Sequence, residues 1–187
     1  MNSNRAPRFK DKMTASEKFL FGLACTAAAF FTAIIQTCFF FNFRPFGFAP
    51  DLCLALTVAC GIKFGPKCAG LVGLLSGFFL DTFSASGISL AIPFYILLGI
   101  TVGIFSGEGS ETNLPHIIIF IIGVIGGAAV SGFATTIHIL LTYSSFIIGD
   151  VLFKTVFFEA LCTVIFSFAV YPFAALVSKA VKNKALR

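Results

Sequence analysis

Long apolar stretches, separated by short polar breaks, are the feature that most limits what this chain of 187 residues becomes. The first such stretch, Phe19 to Phe41, matches a membrane span of about 20 residues. Only 11% of the residues are charged and 58% are hydrophobic, whereas soluble domains carry about 25% charged residues. A water-exposed surface cannot be covered from that supply. A bilayer accepts such a chain, provided that backbone polar groups are paired within helices.

The breaks divide the chain into six apolar segments. Residues 1–18 form a basic tail in which Arg5, Arg8, Lys10, Lys12 and Lys18 outweigh Asp11 and Glu17. Thr14 and Glu17 have capping-box spacing, so a helix is expected to begin near residue 15. The following run is too long for a secretory h-region, and no A-x-A site follows it, so it reads as a retained anchor. After a proline-bearing break come Leu52–Ile62 and Cys68–Leu80, joined by a turn with Lys63, Gly65, Pro66 and Lys67. Both segments are short for a span; they must borrow flanking residues, thin the bilayer, or be shielded by neighbouring helices. Ser84–Gly87 precedes Ile88–Phe105. An acidic loop with Glu108 and Glu111 leads to Pro115, which suits a helix start for His116–Leu141. The last segment runs from Val151 to Val177.

Charge placement orients these segments. With the N-terminus inside, Lys63 and Lys67 and the tail residues Lys179, Lys182, Lys184 and Arg187 all lie inside with the first tail. Only Arg44 and Lys154 fall outside, as the positive-inside rule requires. The acidic loop between the fourth and fifth segments fits less well, but acidic residues weigh little in that rule. The expected organisation is a basic cytoplasmic tail (1–18), an all-α bundle of six transmembrane segments (19–178) and a second basic cytoplasmic tail (179–187). The net charge of +5 therefore speaks of topology and the lipid bilayer. No basic face alternates with exposed aromatics, which argues against nucleic-acid binding. Cys25, Cys38, Cys53, Cys60, Cys68 and Cys162 form no C-x-x-C pair and read as small apolar residues.

Polar groups in apolar segments are costly, about 2.5–3.5 kcal/mol for a central charge, so each asks for a reason. Glu159 shares a helix face with Thr155, Thr163 and Ser167. This stripe is expected to face protein, with Glu159 either touching a ligand, proton or partner, or packing its helix against the bundle. Gly123, Gly127, Ser131, Thr135, His138 and Thr142 make a second stripe. A lone His there reads as a packing residue, since no second His or Cys has metal spacing. Gly70, Gly73, Gly77 and Asp81 share an arc of a third helix, with the small-residue contact spacing at Gly73 and Gly77. Asp81 either binds something or caps the next segment, and the cap is the simpler reading. Asp51, after Pro50, reads as a helix-start signal. No phosphate-cradling loop, H-E-x-x-H motif or nucleophile–base set appears, so neither an enzyme nor a cofactor is expected.

The order of these features resembles the MreD family of bacterial rod shape-determining membrane proteins. The matching residues are Arg44-Pro45, Pro50-Asp51-Leu52, Gly65-Pro66-Lys67, and Gly70-x-x-Gly73-x-x-x-Gly77-x-x-x-Asp81. Ser84-x-Ser86-Gly87, Tyr95-x-x-x-Gly99, Glu159-Ala160-Leu161 and Tyr171-Pro172 complete the set, over roughly residues 19–178. What the resemblance implies is a non-enzymatic subunit of the elongation machinery (elongasome) at the bacterial cytoplasmic membrane. Its partners would be MreC, the actin-like MreB, RodA and a penicillin-binding transpeptidase, and it would help couple filaments inside to peptidoglycan synthesis outside and so to cell shape. The family is also similar in fold to the substrate-binding S components of energy-coupling factor transporters. That similarity supplies the alternative, a vitamin or metabolite carrier with an outward pocket around Asp81, Tyr95 and Glu159.

Overall fold

The computed structural model describes residues 15–40, 49–84, 91–106, 116–143 and 157–172. The described residues are helical throughout, apart from short connections. Six helices follow one another: α1 (Ala15–Ile34, continued by a π-helical turn, Ile35–Phe39), α2 (Leu52–Phe64), α3 (Pro66–Ser84), α4 (Ala91–Phe105), α5 (His116–Tyr143) and α6 (Phe157–Pro172). Segment existence follows the hydropathy reading, while several ends move. The third segment takes in Pro66 at its start and Asp81–Ser84 at its end, which brings it to 19 residues. Asp81 therefore sits in the last turn of α3 rather than beyond it. Residues 15–18 of the first tail belong to α1, while residues 1–14, the second tail, Arg44, Gly87, Lys154, Thr155 and the acidic loop lie outside the described residues.

Contacts at both ends show how the helices run. At one end Gln36 of α1, Asp51 of α2, Tyr95 of α4 and Thr163 of α6 meet. At the other end Phe21 packs edge-on to Phe64 at 4.8 Å, the Ser106 hydroxyl donates to the Gly61 carbonyl at 3.2 Å, and the Phe120 ring packs at a tilt against Tyr171 at 4.8 Å. Consecutive helices consequently run in opposite directions through the whole order. The Lys63 ammonium lies over the Tyr171 ring, 4.9 Å from its centroid, at that second end.

α2 is the axis. Every residue from Leu52 to Ile62 is buried, on all sides of the helix. The other five helices each expose large apolar side chains, among them Phe31, Leu71, Leu97, Ile122 and Phe168. By length and composition one described helix, Phe21–Phe39, is long and apolar enough to cross a membrane, and only 17% of that window is buried. Leu52–Phe64, Ala91–Phe105, Ile117–Gly132 and Phe157–Pro172 are shorter apolar helices. The 13-residue α2 is thus shielded by its neighbours along its length.

Glycines set the closest approaches. A Cβ added to Gly73 would strike the Tyr95 carbonyl, one on Gly77 would come 2.6 Å from the Ile92 Cα, and one on Gly99 would come 2.6 Å from the Ala69 carbonyl oxygen. α3 and α4 thus touch backbone to backbone, antiparallel, along the stripe that the sequence marks. Gly70 is looser, with the Ile100 side chain 3.1 Å from its would-be Cβ. The α5 stripe turns to α2, where a Cβ on Gly123 would be 3.0 Å from Val58 and one on Gly127 would be 2.9 Å from Leu54. Between α2 and α3, Gly65 at φ 82 takes a left-handed backbone that side chains disfavour, and its N–H closes on the Gly61 carbonyl at 3.1 Å.

Gly73→Ala is expected to lower stability by about 1–3 kcal/mol, since backbone rather than a side-chain tip must move. Gly126→Ala, where nothing lies within 4 Å, should leave stability unchanged or slightly raised. Reversible unfolding in mixed detergent–denaturant measures both, and equal stability of the two variants would refute the close contact.

Candidate functional site

A helix that starts inside a bundle has a problem at its first turn, because its leading N–H groups have no partners within the helix. α2 begins this way: Pro50 and Asp51 are buried together with all of its first turns. The side chains that solve the problem come from three helices. Asp51 is the N-cap, and its Oδ1 accepts from the Leu54 N–H at 2.9 Å. The Cys53 N–H donates to Gln36 Oε1 at 2.9 Å, from the π-helical turn of α1. The Asp51 N–H donates to Thr163 Oγ1 at 2.9 Å on α6. That hydroxyl in turn donates to the Glu159 carbonyl one turn earlier, at 2.8 Å.

The second carboxylate oxygen reaches further. Asp51 Oδ2 accepts from the Tyr95 hydroxyl at 2.6 Å. Asp51 so joins α2 to α4 while capping its own helix. Tyr95 is only 5% exposed, and Gly73 faces its carbonyl, so the same residue carries a side-chain bond to α2 and a backbone contact with α3. Thr57 is buried in the next turn of α2, and its hydroxyl returns to the Cys53 carbonyl at 2.8 Å. On α3 the Ser76 hydroxyl is fully buried and makes no hydrogen bond among the described residues.

The sequence candidates sort themselves against this geometry. Pro50, Asp51 and Tyr95 belong to the node. Gly70, Gly73, Gly77 and Gly99 form the α3–α4 contact. Of the Glu159 stripe, Thr163 and Ser167 are buried, and Glu159 is half-buried on the same face. The stripe faces protein, as its polarity requires. Asp81 is half-buried near the end of α3 and is not part of the node. The His138 backbone is within α5, but its side chain, like Gly87, falls outside what is described. Five cysteines are buried, while Cys38 is exposed.

Gln36 was not singled out by sequence, although an amide in the last turns of an otherwise apolar helix is a signal of the same kind as Glu159. Among the described residues no group of His, Cys, Asp or Glu is arranged to hold a metal ion. Comparison with protein-family models, curated proteins and solved structures finds no match for this chain.

Tyr95→Phe removes the hydroxyl that donates to Asp51 Oδ2 and should cost about 1–3 kcal/mol, the range for a buried hydrogen bond that loses one partner. Asp51→Ala should cost more than Tyr95→Phe, because the helix cap goes as well. In a double-mutant cycle, Tyr95→Phe should have little further effect once Asp51 is Ala. Strictly additive losses would show that the two side chains do not interact.

Proposed function

We propose that this chain is a multi-pass subunit of the bacterial cell-elongation complex, without catalytic activity of its own. It would dock an MreC-like membrane protein and help couple MreB filaments to RodA and the penicillin-binding transpeptidase. The observation that supports this reading is where the motif residues go. Pro50-Asp51-Leu52, Gly73, Gly77, Tyr95 and Gly99 carry the resemblance to MreD, and all of them build interior contacts. Residues spent on fixing the positions of helices suit a scaffold, whose output is the shape of its outer surface.

The outer surface supports six spans. Large apolar side chains project from α1, α3, α4, α5 and α6 but none from α2, the inverse of a soluble domain that hides its apolar residues. Exposed Thr82 and Thr101 return their hydroxyls to carbonyls of their own helices at 2.7 Å, which suits side chains that face lipid. The alternation in helix direction puts Lys63 and Lys67 at the end where α1 starts and α6 finishes, the end of both basic tails. Positive-inside logic makes that end cytoplasmic and the Asp51 node the outer one.

The carrier alternative needs Asp81, Tyr95 and Glu159 to line one open outward pocket. Tyr95 is instead buried, with its hydroxyl engaged by Asp51, and that supports the scaffold.

The test is co-expression with an MreC-like protein, followed by detergent extraction and affinity capture of this chain. Retention of the partner at matched expression is expected, and depletion of the chain should turn rod-shaped cells round. Failure of a folded, membrane-extracted chain to retain the partner, together with saturable binding of a vitamin, would hand the case to the carrier. Gly73→Leu with Gly77→Leu should lower thermal stability and partner retention together, because that face meets α4 rather than a partner.

A further inference from the structure

Between α3 and α4, running from Lys67 at the end opposite the Asp51 node toward the level of Tyr95, lies a shallow surface groove of about 480 Å³. Leu71, Leu74, Ile96 and Ile100 form its apolar walls, and Gly70, having no side chain, leaves its floor open. Leu71, Leu74 and Ile100 are exposed, so the groove is continuous with the apolar outer surface. The one charged residue in its lining is Lys67, exposed in the first turn of α3.

We propose that this groove binds one anionic glycerophospholipid, with the phosphate on Lys67 and the upper part of an acyl chain along Gly70, Leu71 and Leu74. The inference rests on the membrane reading above. Two features select a lipid. The first is charge complementarity: the ammonium stands at the rim, at the level of the cytoplasmic headgroups, and the positive end of the α3 dipole adds to it. The second is extent. From Lys67 to Leu74 the groove covers two helical turns, about 10 Å. A partner helix would use a seam along most of the apolar thickness of about 30 Å, whereas a headgroup and half a chain fit a short groove that opens at the interface.

The full chain, expressed in bacterial membranes and extracted in mild detergent, is exchanged into vesicles of equal parts phosphatidylglycerol and phosphatidylcholine. Native mass spectrometry then reads the retained lipid. Wild type should retain one phosphatidylglycerol in preference to phosphatidylcholine. Lys67→Gln should reduce that preference about fivefold, the effect of one basic residue near an anionic headgroup. Lys67→Arg should keep it, and Leu74→Trp, which fills the groove, should lower retention of both lipids. All three variants should unfold at the wild-type temperature, because the substituted side chains are exposed. Equal retention of the two lipids by wild type, or a preference that Lys67→Gln leaves intact, overturns the proposal. A photo-crosslinker at Leu71 in cell membranes should yield a lipid adduct; a polypeptide adduct alone would overturn the proposal in favour of a partner helix. A chain found in the soluble fraction would sink the membrane reading itself, whereas a membrane-extracted chain without lipid preference sinks only the groove.

Discussion

The enclosure of α2 sets the terms for everything around it. A helix buried on every side gains contact with all its neighbours, but its first turn has no water to satisfy the leading N–H groups. Each of those groups left unpaired would cost about 1–3 kcal/mol. Gln36, Asp51 and Thr163 remove that cost with three bonds of 2.9 Å. Because the acceptors belong to α1, α2 and α6, satisfying one helix end fixes the height of three helices. Tyr95 adds α4 through the carboxylate oxygen that the cap does not use. The node acts as a register pin, a role for which a buried polar group is well suited.

Packing supplies the rest. If lipid surrounds the bundle, apolar side chains gain little by leaving lipid for protein, and helices hold together through close contact and interhelical bonds. That explains why α3 and α4 approach backbone to backbone at Gly73, Gly77 and Gly99, and why Gly103 meets Pro66 beside the α2–α3 turn. It also explains why hydroxyls are paired locally. Thr26, Thr32 and Thr37 on α1 each return to a carbonyl four residues back, at 2.7–3.0 Å.

Much of this was legible. Apolar runs locate the helices, and among the described residues the Gly73/Gly77 stripe of α3 and the Thr163/Ser167 part of the α6 stripe lie on faces that meet protein. Asp51 reads correctly as a helix start. Its second role did not show, since nothing in the spacing of Asp51 and Tyr95 says that a carboxylate oxygen left over from a cap will meet a hydroxyl 44 residues later. The centrality of α2 was hidden for a different reason. When every helix is apolar all round, the periodicity that separates a core face from a solvent face disappears. Only the shortness of the segment pointed to shielding, and it pointed equally to two other solutions. The end of α3 was misplaced because Asp81 looks like a stop signal, whereas the helix takes it into its last turn and ends at Ser84.

The π-helical turn of α1 joins these threads. Widening a helix for one turn re-aims the side chains that follow, and such turns concentrate where a side chain must reach a particular place. Here the turn begins at Ile35, and Gln36 is the residue it presents to α2. Thr37 bonds back to Ala33 within the same turn, at 2.8 Å. A regular α1 would keep the Ala29 and Ala33 face against the bundle but would carry residue 36 around the helix at a different angle. The irregularity of α1 and the unpaired N–H of the innermost helix thus meet at Gln36. An apolar bundle of this kind has its geometry decided by its few polar atoms, with the glycines admitting the helices to the distance at which those atoms meet.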